Sequence, residues 1–180
     1  MKKVFFVLFV LLIPVFSFAA NFSFGGGVSL TSNKSGGYSE FGVSIFNNSS
    51  FEMRNLISID GYGKNIFNDE NAAGYFGITE KITFGLSTDY TKNNVFVIPY
   101  GFIAGGFAFV GTEGSCLFEA PYSYEVYAGS GADIFSLNNL SIFIEAGGGF
   151  ESLTDTLPGS NHLGNGFARI NVGIRGFITK

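Results

Sequence analysis

Residues 167–179 read F-A-R-I-N-V-G-I-R-G-F-I-T. Ala168, Ile170, Val172, Ile174, Gly176 and Ile178 alternate with Arg169, Asn171, Gly173, Arg175, Phe177 and Thr179. A strand sends successive side chains to opposite faces, so this stretch has one apolar face and one that carries two arginines. Such a face is hidden either in a core or against lipid, with the polar face then turned inward.

Working back towards the N-terminus, the same period-two signal recurs. In residues 21–30, Phe22, Phe24, Gly26, Val28 and Leu30 oppose Asn21, Ser23, Gly25, Gly27 and Ser29. Residues 38–46 set Phe41, Val43 and Ile45 against Glu40, Gly42 and Ser44. Residues 51–61 set Phe51, Met53, Ile57 and Ile59 against Glu52, Arg54, Ser58 and Asp60, with Asn55 interrupting the apolar face and Leu56 the polar one. Residues 75–87 alternate similarly around Lys81, with Glu80 on the apolar side, a misfit that calls for a bulge or a local break. Residues 122–134 and 140–150 alternate with Glu125, Asp133 and Glu145 on the polar side. Residues 95–110 are apolar on both faces and contain Pro99. There Ile103, Phe107 and Phe109 line an inner greasy pocket, unless a bulge at Gly105-Gly106 sends Phe107 and Phe109 outward to lipid. With the closing stretch this makes eight strands, and no helical period competes after the leader.

The connections after the second, fourth and sixth strands, around residues 47–50, 89–94 and 136–139, are short. Those around 31–37, 62–74, 111–121 and 153–166 tend to be longer. Short-long alternation is the signature of an up-and-down barrel with turns at one end and loops at the other.

Residues 1–19 carry the features of a secretory signal peptide: Lys2 and Lys3, an apolar run over 4–15, then Ser17-Phe18-Ala19 before the expected cleavage site. The run is too short, and too interrupted by Pro14, for an anchor helix. Residues 20–180 then form one barrel domain. The 23 Phe, 26 Gly and only 13% charged residues suit a chain whose solvent is partly not water. A net charge of −4 without a basic run argues against nucleic acid as partner. Cys116 is the single cysteine, so no intramolecular disulfide can staple the fold.

An exported chain of eight amphipathic strands, closing on residues 167–179 with Phe177 near its end, resembles the small OmpA-like and OmpX-like outer-membrane barrels. The resemblance is one of pattern over the mature chain. It departs from such barrels at the end, where Ile178, Thr179 and Lys180 follow Phe177, and the peptidoglycan-binding domain that follows some OmpA-like barrels is not expected here. It implies an all-β, eight-stranded antiparallel up-and-down transmembrane β-barrel in the outer membrane of a Gram-negative-type (diderm) bacterium. Outer-membrane lipid and the barrel assembly machinery are the implied partners. The competing fold is a secreted lipocalin-like barrel, whose apolar face lines a ligand cavity; faces rich in Gly and Ser with isolated charges of both signs suit a filled lumen better.

The inward set under this reading comprises Glu40, Glu52, Arg54, Asp60, Lys81, Glu125, Asp133, Glu145, Glu151, Arg169 and Arg175. Buried charges must be paired or hydrated, so a lumen network follows, which serves as polar filling or as an ion selector. Phe46, Phe143 and Phe177 are expected to close the turn end. For the last hairpin, the register that satisfies most charge sets Glu145 opposite Arg175 and Glu151 opposite Arg169, with Gly147 facing Gly173. A shift of two residues either way leaves both acids opposite glycine, asparagine or aromatic residues.

Catalysis of the lipid A-remodelling kind found in some eight-stranded barrels would need a histidine beside a serine. The single histidine, His162, lies in a Gly-rich loop two residues after Ser160, and the expectation is a solvated loop residue and no enzyme. One His and one Cys give no metal spacing, and Gly25-Gly26-Gly27 and Gly147-Gly148-Gly149 lack the Lys-Ser/Thr of a phosphate loop, so no cofactor is expected. The glycines rather make room for aromatics within the strands. Cys116 is expected as a free thiol in an exposed loop, with Leu117 and Phe118 beside it folding onto the rim or meeting a partner. The expected role is structural or surface-interacting, through four loops that meet an extracellular ligand or host surface. The alternatives are a narrow pore or small-ligand transport barrel and, further off, a lipid A-modifying enzyme.

Overall fold

The computed structural model describes residues 21–32, 34–48, 50–64, 74–87, 97–111, 122–137, 139–154 and 164–178. Its elements are β1 (Phe22–Thr31), β2 (Lys34–Asn47), β3 (Phe51–Lys64), β4 (Gly74–Leu86), β5 (Val97–Gly111), β6 (Tyr122–Leu137), β7 (Leu140–Thr154) and β8 (Gly164–Ile178). Each pairs antiparallel with its neighbour in sequence, and β1 pairs with β8, so the sheet closes into an eight-stranded up-and-down barrel. Closure leaves no sheet edge along the wall, which is what an all-β wall needs where water cannot satisfy backbone groups.

The alternation sorts side chains as expected. On β8, Arg169, Asn171, Arg175 and Phe177 are buried inside, while Ile170, Val172, Ile174 and Ile178 lie exposed outside. The outer wall is a belt of Ile, Val, Leu and Phe, and among the described residues the interior holds the charges other than Glu80. This polarity is the reverse of a lipocalin-like barrel.

Three expectations change. The first connection is tight: β1 ends at Thr31 and β2 starts at Lys34, the turn held by hydrogen bonds of 2.9 and 3.0 Å between Thr31 Oγ1 and the Lys34 backbone. The expected short connection at 89–94 lies outside the described residues. Phe46 points outward, because a bulge between Ser44 and Phe46 inserts one residue into β2 and turns the ring out of the lumen to pack on Phe51. Ile103, Phe107 and Phe109 keep outward parity on β5 with no register break at Gly105-Gly106, so neither an inner pocket nor a bulge forms there. The lumen side of β5 is instead Ile98, Tyr100, Phe102 and Ala104.

Glycine sits where strands press closest. A Cβ on Gly27 would lie 2.2 Å from the Val172 carbonyl oxygen, whereas one on Gly37 would meet nothing nearer than 3.5 Å. Inside, Gly129 and Gly147 leave room for the Phe102 ring, and Gly173 for Phe143. Gly27→Ala is expected to lower unfolding stability in detergent by about 1–3 kcal/mol, the cost of overpacking, and Gly37→Ala to leave it almost unchanged. Urea titration of the folded band on unheated gels measures both.

Candidate functional site

The lumen concentrates the ionisable side chains of the described residues, since each strand from β2 to β8 turns at least one inward. β1 turns in only small residues, and Gly25 explains why: a Cβ there would sit 3.2 Å from Glu40 Oε1 and 3.3 Å from Arg175 Cα. The smallest side chain makes space for the largest buried cation.

Arg175 of β8 is the hub and is fully enclosed. Its guanidinium donates to Glu40 Oε1 of β2 at 2.6 Å, Asp133 Oδ1 of β6 at 2.8 Å, Tyr100 Oη of β5 at 3.2 Å and Glu145 Oε1 of β7 at 3.4 Å. The Phe143 ring lies 4.2 Å from it. Lys81 of β4 donates to both Glu145 oxygens, at 2.7 and 2.9 Å, and to Glu40 at 3.2 Å. The Asn171 amide and the Tyr100 hydroxyl, each at 2.9 Å, give Glu145 further donors. Towards the turn end, Arg54 of β3 donates to Asp133 at 3.0 Å, Ser141 donates to the same carboxylate, and Ser44 donates to Glu52.

A second cluster sits towards the loop end. Arg169 meets Glu125 in a bidentate pair, both bonds 2.8 Å, with the Tyr127 ring 4.3 Å away. Lys34 donates to Glu151 at 2.6 Å and stands 3.5 Å from Glu125. Asp60 takes hydrogen bonds from Thr79 at 2.6 Å and Ser58 at 3.0 Å. Between the clusters a cavity of about 10 Å³, lined by Tyr38, Asp60, Lys81, Tyr127, Arg169 and Asn171 among others, has the size of one water. Phe177 helps fill the turn end as expected, but its buried companions there are Ile98 and Phe135 rather than Phe46.

The expected register of the last hairpin is wrong. Glu145 faces Asn171, Glu151 faces Asn165, Arg175 faces Ser141 and Gly147 faces Arg169. The parity holds, but the strands are offset four residues from the expected match. Directly opposed charges are unnecessary in so narrow a barrel, because arginine and lysine reach across it. Arg169 therefore pairs with Glu125 on β6, and Glu151 with Lys34 on β2. Glu145 and Arg175 do touch, at 3.4 Å, as members of the hub rather than as cross-strand partners. Lys34 and Tyr100 are missing from the expected inward set. The alternation of Lys34, Gly36, Tyr38 and Glu40 could have revealed the first, although the surrounding Asn, Ser and Gly read as loop. Cys116 and His162 lie outside the described residues.

Arg175→Met takes one of two cationic partners from each of three acids and is expected to cost about 3–5 kcal/mol, as breaking a buried ion network does. Exchanging Glu125 and Arg169 (Glu125→Arg with Arg169→Glu) should recover more than half of the loss caused by either change alone. The corresponding exchange of Glu151 and Arg169 should recover none. Chemical unfolding of refolded protein distinguishes these outcomes.

No protein-family model and no curated protein sequence matches the chain. Among solved structures it is similar to a major outer membrane protein from Thermus thermophilus, with a TM-score of 0.53 at 10% identity, over 89% of this chain and 100% of that one. It is also similar to the outer membrane protein OprG from Pseudomonas aeruginosa (TM-score 0.47, 9% identity, 90% of this chain and 97% of that one). A third is Ail, the attachment invasion locus protein of Yersinia pestis (TM-score 0.49, 14% identity, 89% and 99%). At these identities the likeness is one of fold, and the fold is that of small outer-membrane barrels.

Proposed function

We propose that the chain is exported by a signal peptide cleaved after residue 19 and spans the outer membrane of a diderm bacterium. There it acts as a structural or surface-interacting barrel rather than as an enzyme or an open pore. The observation that carries this reading is the inverted polarity: exposed Ile, Val, Leu and Phe around the wall, and a paired charge network inside it. Water would oppose that arrangement, and a lipid bilayer favours it. The barrel assembly machinery would insert the chain, and outer-membrane lipid would surround it.

Arg175, Lys81 and their acids bridge the lumen, which supports a filled barrel in which recognition falls to the loops. The tight Thr31–Lys34 turn removes one of the four expected loops, which leaves residues 65–73, 112–121 and 155–163 to meet an extracellular ligand or host surface.

Two experiments test the proposal. Cys116 should react with an impermeant maleimide on intact cells; reaction only after the envelope is broken would refute the orientation or the localisation. Purified protein in planar bilayers should give no steady steps on the nanosiemens scale, and reproducible steps would replace the structural role with transport.

A further inference from the structure

The two residues that break the sequence pattern, Asn55 and Glu80, meet on the outside of the barrel. Both keep regular outward parity on β3 and β4, with no bulge between them. The Asn55 amide donates to Glu80 Oε1 at 2.8 Å in an exposed position. Among the described residues Glu80 is the charged side chain exposed on the outer wall. It sits midway along β4 (Gly74–Leu86), opposite Ile57 on β3, with Ile78 and Ile82 on either side. Across from it on β5 is Gly105, where a Cβ would find no neighbour closer than 3.9 Å. The wall therefore carries a carboxylate and an amide beside a shallow notch, in the middle of its aliphatic belt.

Within the membrane placement proposed above, on which this inference rests, a polar pair at mid-depth is costly against acyl chains, which offer no hydrogen bond. We infer that this patch is the contact face for a second copy of the chain. All copies are inserted in one direction, so a two-fold axis along the bilayer normal brings identical residues together at identical depth. The patch is complementary to itself. An amide nitrogen carries two hydrogens, one already given to its own Glu80, and the other suits the Glu80 of the partner copy. Each carboxylate then accepts from two amides. The described outer wall exposes no lysine or arginine, so the second copy offers amide donors to Glu80 rather than a cation, and the Gly105 notch lets the two walls approach.

The test uses full-length protein in native outer membranes, with Cys116→Ser removing the natural thiol. Single cysteines are introduced by Gly105→Cys or Ile82→Cys beside the patch and by Ile174→Cys on β8, and are oxidised with copper phenanthroline. Disulfide dimers are expected at the first two positions and not at the third. Adding Asn55→Leu and Glu80→Leu should reduce them about tenfold, the effect of one or two membrane hydrogen bonds. Leucine on a lipid-facing wall does not hinder folding, and the compact band on unheated gels checks this. Dimers that form equally at Ile174→Cys, dimers that survive the leucines, adducts with a different protein, or monomer alone would each overturn the inference. Monomer that still fractionates as folded barrel in the outer membrane defeats the contact alone; loss from that membrane defeats the placement as well.

Discussion

A fully buried guanidinium, that of Arg175, is the constraint from which the rest of the interior follows. Removing such a group from water is tolerable only when every donor is met. Its bonds to Glu40, Tyr100, Asp133 and Glu145 tie β8 to β2, β5, β6 and β7 at once. Lys81 brings in β4 through Glu145 and Glu40, and Arg54 brings in β3 through Asp133. In an ordinary sheet a residue is tied to its two neighbouring strands. Here side chains couple strands across the diameter, and the closed circle becomes a solid.

Glu40 and Glu145 each accept from both cations of the hub, so the two carboxylates link β4 and β8 through shared partners. Aromatic rings cover the remaining faces, Phe143 against Arg175 and Tyr127 against Arg169, and Ile98, Phe135 and Phe177 fill the turn end. A lumen built in this way is filled and cross-braced from strand to strand.

The strands and their faces are legible because period two is a local property: Ile170, Val172 and Ile174 announce the outer wall wherever they stand along the barrel axis. Register is not legible in the same way. Pairing Glu145 with Arg175 across one ladder assumes that charges must be satisfied by the adjacent strand, whereas Lys81 and Asn171 already supply Glu145. β5 is ambiguous because both of its faces are apolar, and only the fold shows Tyr100 and Phe102 inside with Ile103 and Phe107 outside. Phe46 escapes a sequence reading because one extra residue in β2 reverses the alternation without any glycine to signal it. Asn55 and Glu80 look like errors in two separate strands, and their meaning appears only when β3 lies against β4.

The chain contains no tryptophan, so each one introduced reports its own surroundings without background. Single-tryptophan variants Ile170→Trp, Val172→Trp and Ile174→Trp, set against Phe143→Trp and Phe177→Trp, measure directly which face of the wall meets lipid. In bilayers of brominated lipid, the first three should be strongly quenched, and the two inside the barrel weakly. Quenching of the inner pair by lipid, or of the outer three by aqueous iodide instead, would contradict an apolar wall closed around a charged lumen.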